Sequence, residues 1–366
     1  MKKYFLRYGK KNLLIIFLFA LFTLKVNSQI SPYALLAEKE SCLFKINFPV
    51  ELLDVTNVVG GGEKYGCVAF IGVDQQKYFK VAYKQTKNKN LNKFFKFCFN
   101  REFEFLNLIS KNCYQSNNII KLRGAVPDNL VLYLEAAEYD LLNFIQNSIC
   151  KIKRGETKKR LILHIIEQIA QGLKYIHDMG FIHGDIKPEN IVVFKEKPIR
   201  LAWIDFSRVA SVDNGATCVL SNYIFSTPLY CSNSVINDYI VSGKKSYVYD
   251  YKDDLYSLGM VIYNLVYHDL PSIFDQADQF LQKLSVNYSF KIINRIKTKS
   301  LEIQKKLIDE GWNLLFTDDN DKFYSFFSNL IGRCLDLDRN KRPSAQELLE
   351  EVKAFRTEFF PRKVEN

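Results

Sequence analysis

The sequence predicts an α+β fold, in which strand-like runs come first and a long amphipathic helix follows. Three observations carry this. First, β-prone runs flank a glycine cluster between Val58 and Phe70, and Tyr78 to Lys84 alternates as a half-buried strand does. Second, from Leu161 to His177 apolar residues recur at helical spacing. Third, between that helix and a short β-like run, Ile191 to Phe194, lies Ile182-His183-Gly184-Asp185-Ile186-Lys187-Pro188-Glu189-Asn190. This stretch sets a carboxylate, a cation and a carboxamide within six residues.

The chain has 366 residues, 48% hydrophobic and 25% charged, an ordinary globular composition with room for one large domain or two. Its net charge is +11. Six basic residues (Lys2, Lys3, Arg7, Lys10, Lys11 and Lys25) and no acid lie in residues 1–28, so the remainder carries +5. That charge is too mild and too dispersed to predict a nucleic-acid partner.

Residues 1–28 read as a signal peptide. A basic region precedes the apolar run Leu13 to Leu24, and Val26-Asn27-Ser28 resembles a cleavage site, with Gln29 as the mature start. The run of 12 residues is short of the roughly 20 that a membrane span needs. The expectation is a secreted or secretory-pathway protein with no stable transmembrane anchor once the signal is cleaved. The alternative is a protein tethered by an uncleaved signal anchor. Residues 29–53 form an N-terminal extension.

The eight cysteines are even in number, so disulfides and buried free thiols both remain open. No C-x-x-C or Cys/His spacing suggests zinc. The sequon Asn287-Tyr288-Ser289 adds weak support for secretion.

The third observation carries chemistry. Asp185 can accept a hydrogen bond from a hydroxyl, Lys187 can neutralise a phosphate, and Asn190 can bind a divalent metal through its amide oxygen. Positioning and electrostatic stabilisation are what phosphoryl transfer requires. The stretch resembles the catalytic loop of eukaryotic protein kinases, H-R-D-x-K-P-x-N, with Gly184 in place of arginine.

The flanking motifs fit the same family in order. Gly60-Gly61-Gly62-Glu63-Lys64-Tyr65-Gly66-Cys67-Val68 resembles the glycine-rich loop G-x-G-x-x-G-x-V. Aligned on Gly66 and Val68, Gly61 comes first and Glu63 stands where the middle glycine belongs, a carboxylate close to the phosphates. Val81-Ala82-Tyr83-Lys84 resembles V-A-I-K, with Lys84 holding the α- and β-phosphates, 18 residues after Gly66. The helical run Phe94 to Ser110 supplies its glutamate. Glu102 is the better match, and Glu104, two positions on, faces elsewhere on a helix.

Leu130 to Leu141 resembles the strand that leads into the kinase hinge. The resemblance implies Leu134 as gatekeeper, backbone groups of Glu135 and Ala137 on the adenine edge, and Asp140 near the ribose. Val68, Ala82 and Val192 would sandwich the base. Trp203-Ile204-Asp205-Phe206-Ser207 resembles strand-D-F-G, with Asp205 and Asn190 as the Mg²⁺ ligands and Ser207 replacing glycine.

Thr227-Pro228-Leu229-Tyr230 resembles T-P-x-Y, and with Lys187 it points to Ser/Thr substrates. The A-P-E triplet that should follow is Ser232-Asn233-Ser234, so Arg342, which matches the arginine partner of that glutamate, needs another acid. Asp254-Leu255-Tyr256-Ser257-Leu258-Gly259 resembles D-x-W-S-x-G, whose aspartate caps the catalytic loop.

The resemblance thus implies a two-lobed protein kinase fold over 54–358, with an N-lobe of 54–138, a C-lobe of 139–358 and a tail of 359–366. It implies ATP, Mg²⁺ with Mn²⁺ as a substitute, a protein substrate and a monomer. Asp185 and Lys187 would be catalytic. Gly61, Gly66, Val68, Ala82, Lys84, Glu102, Glu135, Ala137, Asp140 and Val192 would bind the cofactor. Glu63, Ser207 and the missing triplet motivate the alternative, a secreted pseudokinase acting as a nucleotide-binding or scaffolding module.

Overall fold

A computed structural model describes residues 54–60, 65–73, 76–83, 89–111, 116–212, 217–220, 230–236, 246–267 and 321–361. The signal, the extension, Gly61, Glu63, Lys84 and the Thr227-Pro228 segment lie outside the described residues. The chain divides into two compact units, residues 1–99 with 121–136, and residues 100–120 with 137–366.

In the first unit, β1 (Asp54–Gly60), β2 (Tyr65–Val73), β3 (Gln76–Tyr83), β4 (Leu122–Val126) and β5 (Val131–Glu135) make one antiparallel sheet in the order β1-β2-β3-β5-β4. Gly66 and Val68 lie on β2, which pairs Val68 with Val81 and Cys67 with Ala82. Ala82 in turn pairs with Val131 of β5. Helix α1 (Lys89–Ser110) begins in this unit and ends in the second. It starts five residues before the predicted Phe94, because its polar first turn carries no apolar period to read.

The second unit is built on helices. It comprises β6 (Tyr139–Asp140), α2 (Leu141–Asn147), α3 (Glu156–Asp178), β7 (Phe181–Ile182), β8 (Ile191–Phe194), β9 (Arg200–Trp203), β10 (Ala210–Ser211) and β11 (Thr217–Leu220). Then follow α4 (Asn233–Ile236), β12 (Ser246–Tyr249), α5 (Tyr251–Tyr267), α6 (Lys322–Cys334) and α7 (Ala345–Phe359). Strands β6, β8 and β9 form a small sheet, β7 pairs with β10, and β11 pairs with β12.

Helix α3 buries Ile162, Ile166, Ile169, Leu173 and Ile176, the stripe that its period predicts. Its first turn is polar and was not readable from apolar spacing. Gly172 of α3 lies against Trp203 of β9, where an added Cβ would come within 2.5 Å of the indole Cδ1. The indole Nε1 donates to Ile169 O at 3.0 Å. The strand that leads to Asp205 is therefore pinned to α3 by both shape and hydrogen bonding.

Helix α5 is buried from Asp253 to Val266 and is mainly apolar beyond its first turn, as befits a central helix. Among the described residues no helix is long and apolar enough to cross a membrane. Cys150 and Cys334 carry free thiols, the latter buried and pushed up to about 12 by desolvation.

Candidate active site

The loop His183 to Asn190 leaves β7 and enters β8. Gly184 has φ +75°, and a Cβ there would stand 3.0 Å from Arg208 O. Glycine meets both demands. The N–H groups of His183 (2.8 Å) and Gly184 (3.0 Å) donate to the carboxylate of Asp254, in the first turn of α5. Asp254 also accepts from Tyr249 Oη at 3.1 Å and from His177 Nε2 at 3.0 Å. Burial pushes this carboxyl up, but the bond from His177 and the backbone N–H of His183 outweigh burial and hold it below the usual carboxylate range. It is the loop cap that the resemblance implied.

His183 is fully buried. Its Nε2–H donates to Ile204 O at 3.1 Å, and Nδ1 accepts from Asp185 N at 3.3 Å. One neutral tautomer satisfies both bonds, an assignment made from the network. Burial lowers its pKa, although Asp254, Asp185 and Asp205 oppose that shift. The folded protein therefore resists a proton that the unfolded chain takes up near pH 6.5. Stability is complete above that pH and falls below it, by at most about 1.4 kcal/mol per pH unit. Melting temperatures from pH 7.5 to 5 should fall more steeply for the natural chain than for His183→Gln. Parallel curves would remove His183 as the cause.

Asp185 is buried beside three partners. Asn190 Nδ2 donates to Asp185 O at 2.7 Å and to Oδ2 at 3.2 Å, Lys187 Nζ lies 3.5 Å from Oδ2, and Arg208 Nε lies 3.9 Å from it. Burial works against the charge on Lys187, but Asp185, Asp205 and Glu189 outweigh it and raise the pKa of its ammonium. Lys187 is a cation at neutral pH. Because the amide nitrogen of Asn190 is committed to Asp185, its Oδ1 is the end that a cation would meet.

Asp205 follows β9 and sits at φ 60°, ψ 66°, in left-handed backbone that aspartate tolerates better than most residues. Ile204 N donates to Asn190 O at 3.0 Å, which couples the two metal candidates through the backbone. Ser207 Oγ donates to Asp205 Oδ1 at 2.6 Å. Phe206 N donates to Glu102 Oε1 at 3.2 Å, and the Phe206 ring packs between Phe105 and His183, with centroids 4.6 and 5.1 Å away. Glu102 is buried and Glu104 exposed.

The structure thus brings together Asp185, Lys187, Asn190, Asp205 and Glu102. Val192 is buried on β8, paired with Ala202. Asp140 caps α2, accepting from Asn143 N at 2.7 Å. In the first unit, the N–H of Glu135 donates to Lys121 O, and its side chain accepts from Lys121 N. Sequence reasoning missed Arg208, because its approach to Asp185 depends on the turn at Gly184. It also missed His177, whose place at the end of α3 marks no partner.

A family model described as protein kinase domain matches residues 53–352. The chain belongs to the protein kinase family. It is 24% identical over 311 residues to a stress-activated protein kinase JNK of Suberites domuncula, covering 81% of this chain and 80% of that one. It is 31% identical over 160 residues to mitogen-activated protein kinase kinase kinase 1 of Arabidopsis thaliana, covering 43% of this chain and 23% of the relative. A protein of Dictyostelium discoideum named a probable serine/threonine-protein kinase is 25% identical over 200 residues, covering 53% and 26%. This kinase chain thus spans about a quarter of the length of two of these relatives and four fifths of the third.

Proposed function

We propose that this chain is an ATP- and Mg²⁺-dependent protein serine/threonine kinase of the secretory pathway. The observation that carries the reading is the cluster of buried Asp185 and Asn190 with half-buried Lys187, and Asp205 joined to it through Ile204. In it, Asp185 orients the acceptor hydroxyl and takes its proton, and Lys187 meets the charge on the transferring phosphoryl group. Asn190 and Asp205 would hold the metal, which supplies charge neutralisation at the phosphates.

The donor set suits Mg²⁺, which takes few protein ligands and completes its shell with phosphate oxygens and water. Among the described residues no group of three or more His, Cys, Asp or Glu could hold a metal by itself. Gly61, Gly66, Val68, Ala82, Lys84, Glu102, Glu135, Ala137, Asp140 and Val192 are the proposed nucleotide contacts. The N–H of Glu135 is committed to Lys121, so a base could meet only its carbonyl. Lys187, the Thr227-Pro228 segment and the names of the relatives support Ser/Thr acceptors.

The test is radiolabelled phosphate transfer from ATP·Mg²⁺ by purified residues 29–366 to a generic basic protein. Transfer to serine or threonine is expected. No transfer from folded protein, with Mg²⁺ or Mn²⁺ and several acceptors, would end this reading. The Ser207 bond to Asp205, which engages one oxygen of the proposed metal ligand, favours a second reading as a nucleotide-binding pseudokinase. A nucleotide-dependent thermal shift without transfer would support it.

Two further expectations follow from the same residues. With glycine at 184, the arginine that would bind a phosphorylated activation loop is missing, so phosphatase treatment should leave activity nearly unchanged. Loss of activity on that treatment would refute this. The basic and apolar character of residues 1–28 supports entry into the secretory pathway. N-terminal sequencing of protein expressed in a secreting cell should begin at Gln29, and an intact Met1 terminus would favour the signal anchor.

A further inference from the structure

Arg342 is buried at its guanidinium and needs an acid, yet position 234, where the family's A-P-E triplet would supply glutamate, is serine. The acid comes from α5. Arg342 Nη1 lies 3.2 Å from Asp253 Oδ1 with both side chains fully buried, and its other bonds go to backbone, Nη1 to Lys252 O at 3.1 Å and Nε to Asp336 O at 2.9 Å. Arg339 Nη2 reaches the second oxygen of Asp253 at 2.9 Å, and Asp250 N donates to that oxygen at 3.0 Å.

The same carboxylate holds the segment that lost the glutamate. Ser232 Oγ donates to Asp253 Oδ1 at 2.5 Å and Ser234 Oγ at 3.1 Å. One turn along the helix, Ser257 Oγ donates to Tyr230 O at 2.6 Å. Asp253 thus stands where one group can neutralise the arginine and fix residues 230–236 at once. The two serines of Ser232-Asn233-Ser234 contribute hydroxyl donors where the family triplet contributes an acceptor, so the polarity of the contact is reversed and the charge has moved to the helix.

We propose that Asp253 has replaced the missing glutamate as the counter-ion of Arg342 and, through Ser232 and Ser234, is a positioning residue for the segment that receives the protein substrate. The positioning half rests on the kinase reading, and the counter-ion half does not. Because Ser234 Oγ and Arg342 Nη1 meet the same oxygen of Asp253, a carboxylate introduced at 234 reaches the space that Asp253 fills.

The experiment compares Asp253→Asn, Ser234→Glu and the double variant in the full mature chain. Asp253→Asn should lower the melting temperature by roughly 5–10 °C, since one partner of a buried pair is left uncompensated. It should also raise KM for the acceptor protein several-fold with KM for ATP unchanged. The double variant should recover most of both losses. If Asp253→Asn does not fold, a folded double variant supports the proposal. A double variant no better than Asp253→Asn overturns the counter-ion role, and an unchanged acceptor KM in folded Asp253→Asn overturns the positioning role. If the natural chain transfers no phosphate, the kinase reading and the positioning half fall together, and the melting temperatures still decide the counter-ion half.

Discussion

Exchanging Asp205 for alanine should lower phosphate transfer by about 10³-fold or more while leaving the fold in place. The expected loss is chemical, because the position of residue 205 does not depend on its carboxylate. Ile204 is tied to Asn190 O, and Phe206 is held by Glu102 and by packing against Phe105 and His183. What disappears is a charged oxygen donor at the phosphates, the kind of preorganised electrostatic group on which phosphoryl transfer depends. Alanine also adopts left-handed backbone less readily than aspartate. Asp205→Asn is therefore the companion variant, since it keeps an acceptor for Ser207 and tolerates φ 60°. Both should melt within a few degrees of the natural chain and both should fail in the radiolabel assay. A folded variant that retains a tenth of the activity would remove Asp205 from the metal site.

Exchanging Asp254 for asparagine should cost stability. The carboxylate is fully buried and receives four donors, the N–H groups of His183 and Gly184, Tyr249 Oη and His177 Nε2. An amide offers one oxygen, and its NH₂ would face groups that are themselves donors. At least one buried N–H then loses its partner, which costs about 1–3 kcal/mol, and the remaining donors exchange a charged acceptor for a neutral one, which brings the total to about 3–5 kcal/mol. That is a large part of the 5–15 kcal/mol by which domains are stable. Thermal and urea unfolding measure it directly. Transfer should fall as well, since these two N–H groups fix the loop that carries Asp185. A melting temperature within 2 °C of the natural chain would show that the loop holds its shape without this cap.

The parts of the fold that could be read from sequence are those whose signal is local. Ile191–Phe194 is a strand because four apolar residues, two of them valine, follow the Asn190 turn, and it is found with those bounds. The stripe of α3 was legible from spacing. Its first turn was not, since Glu156 to Arg160 are polar, and the burial of Lys158, whose ammonium donates to Ile152 O at 3.2 Å, leaves no apolar signal. The site divides in the same way. Asp185, Lys187 and Asn190 fall within one short run and could be chosen together, and Asp205 comes from a second motif, the strand-D-F-G resemblance.

Their supports lie far off in sequence. Asp254 is 70 residues from Gly184, Glu102 is 104 residues from Phe206, and Asp253 is 89 residues from Arg342. No periodicity links such pairs, because each joins a helix residue to a loop far along the chain. Only resemblance to a known family pointed to Asp254, and nothing pointed to Asp253, whose neighbour in the Asp253-Asp254 doublet had already been given a role.

The Arg342 pair also constrains the order in which a chain of this kind can change. A chain that gave up the acid at position 234 with nothing at position 253 would leave a guanidinium buried and uncompensated, at a cost of about 3–5 kcal/mol. A chain that gained the acid at 253 first would pass through a state with two acids and two arginines, Arg339 and Arg342, which can share them. Only the second order keeps the buried guanidinium compensated at every step. Once the helix holds the charge, position 234 is released to vary, while 253 can change only if an acid returns to 234.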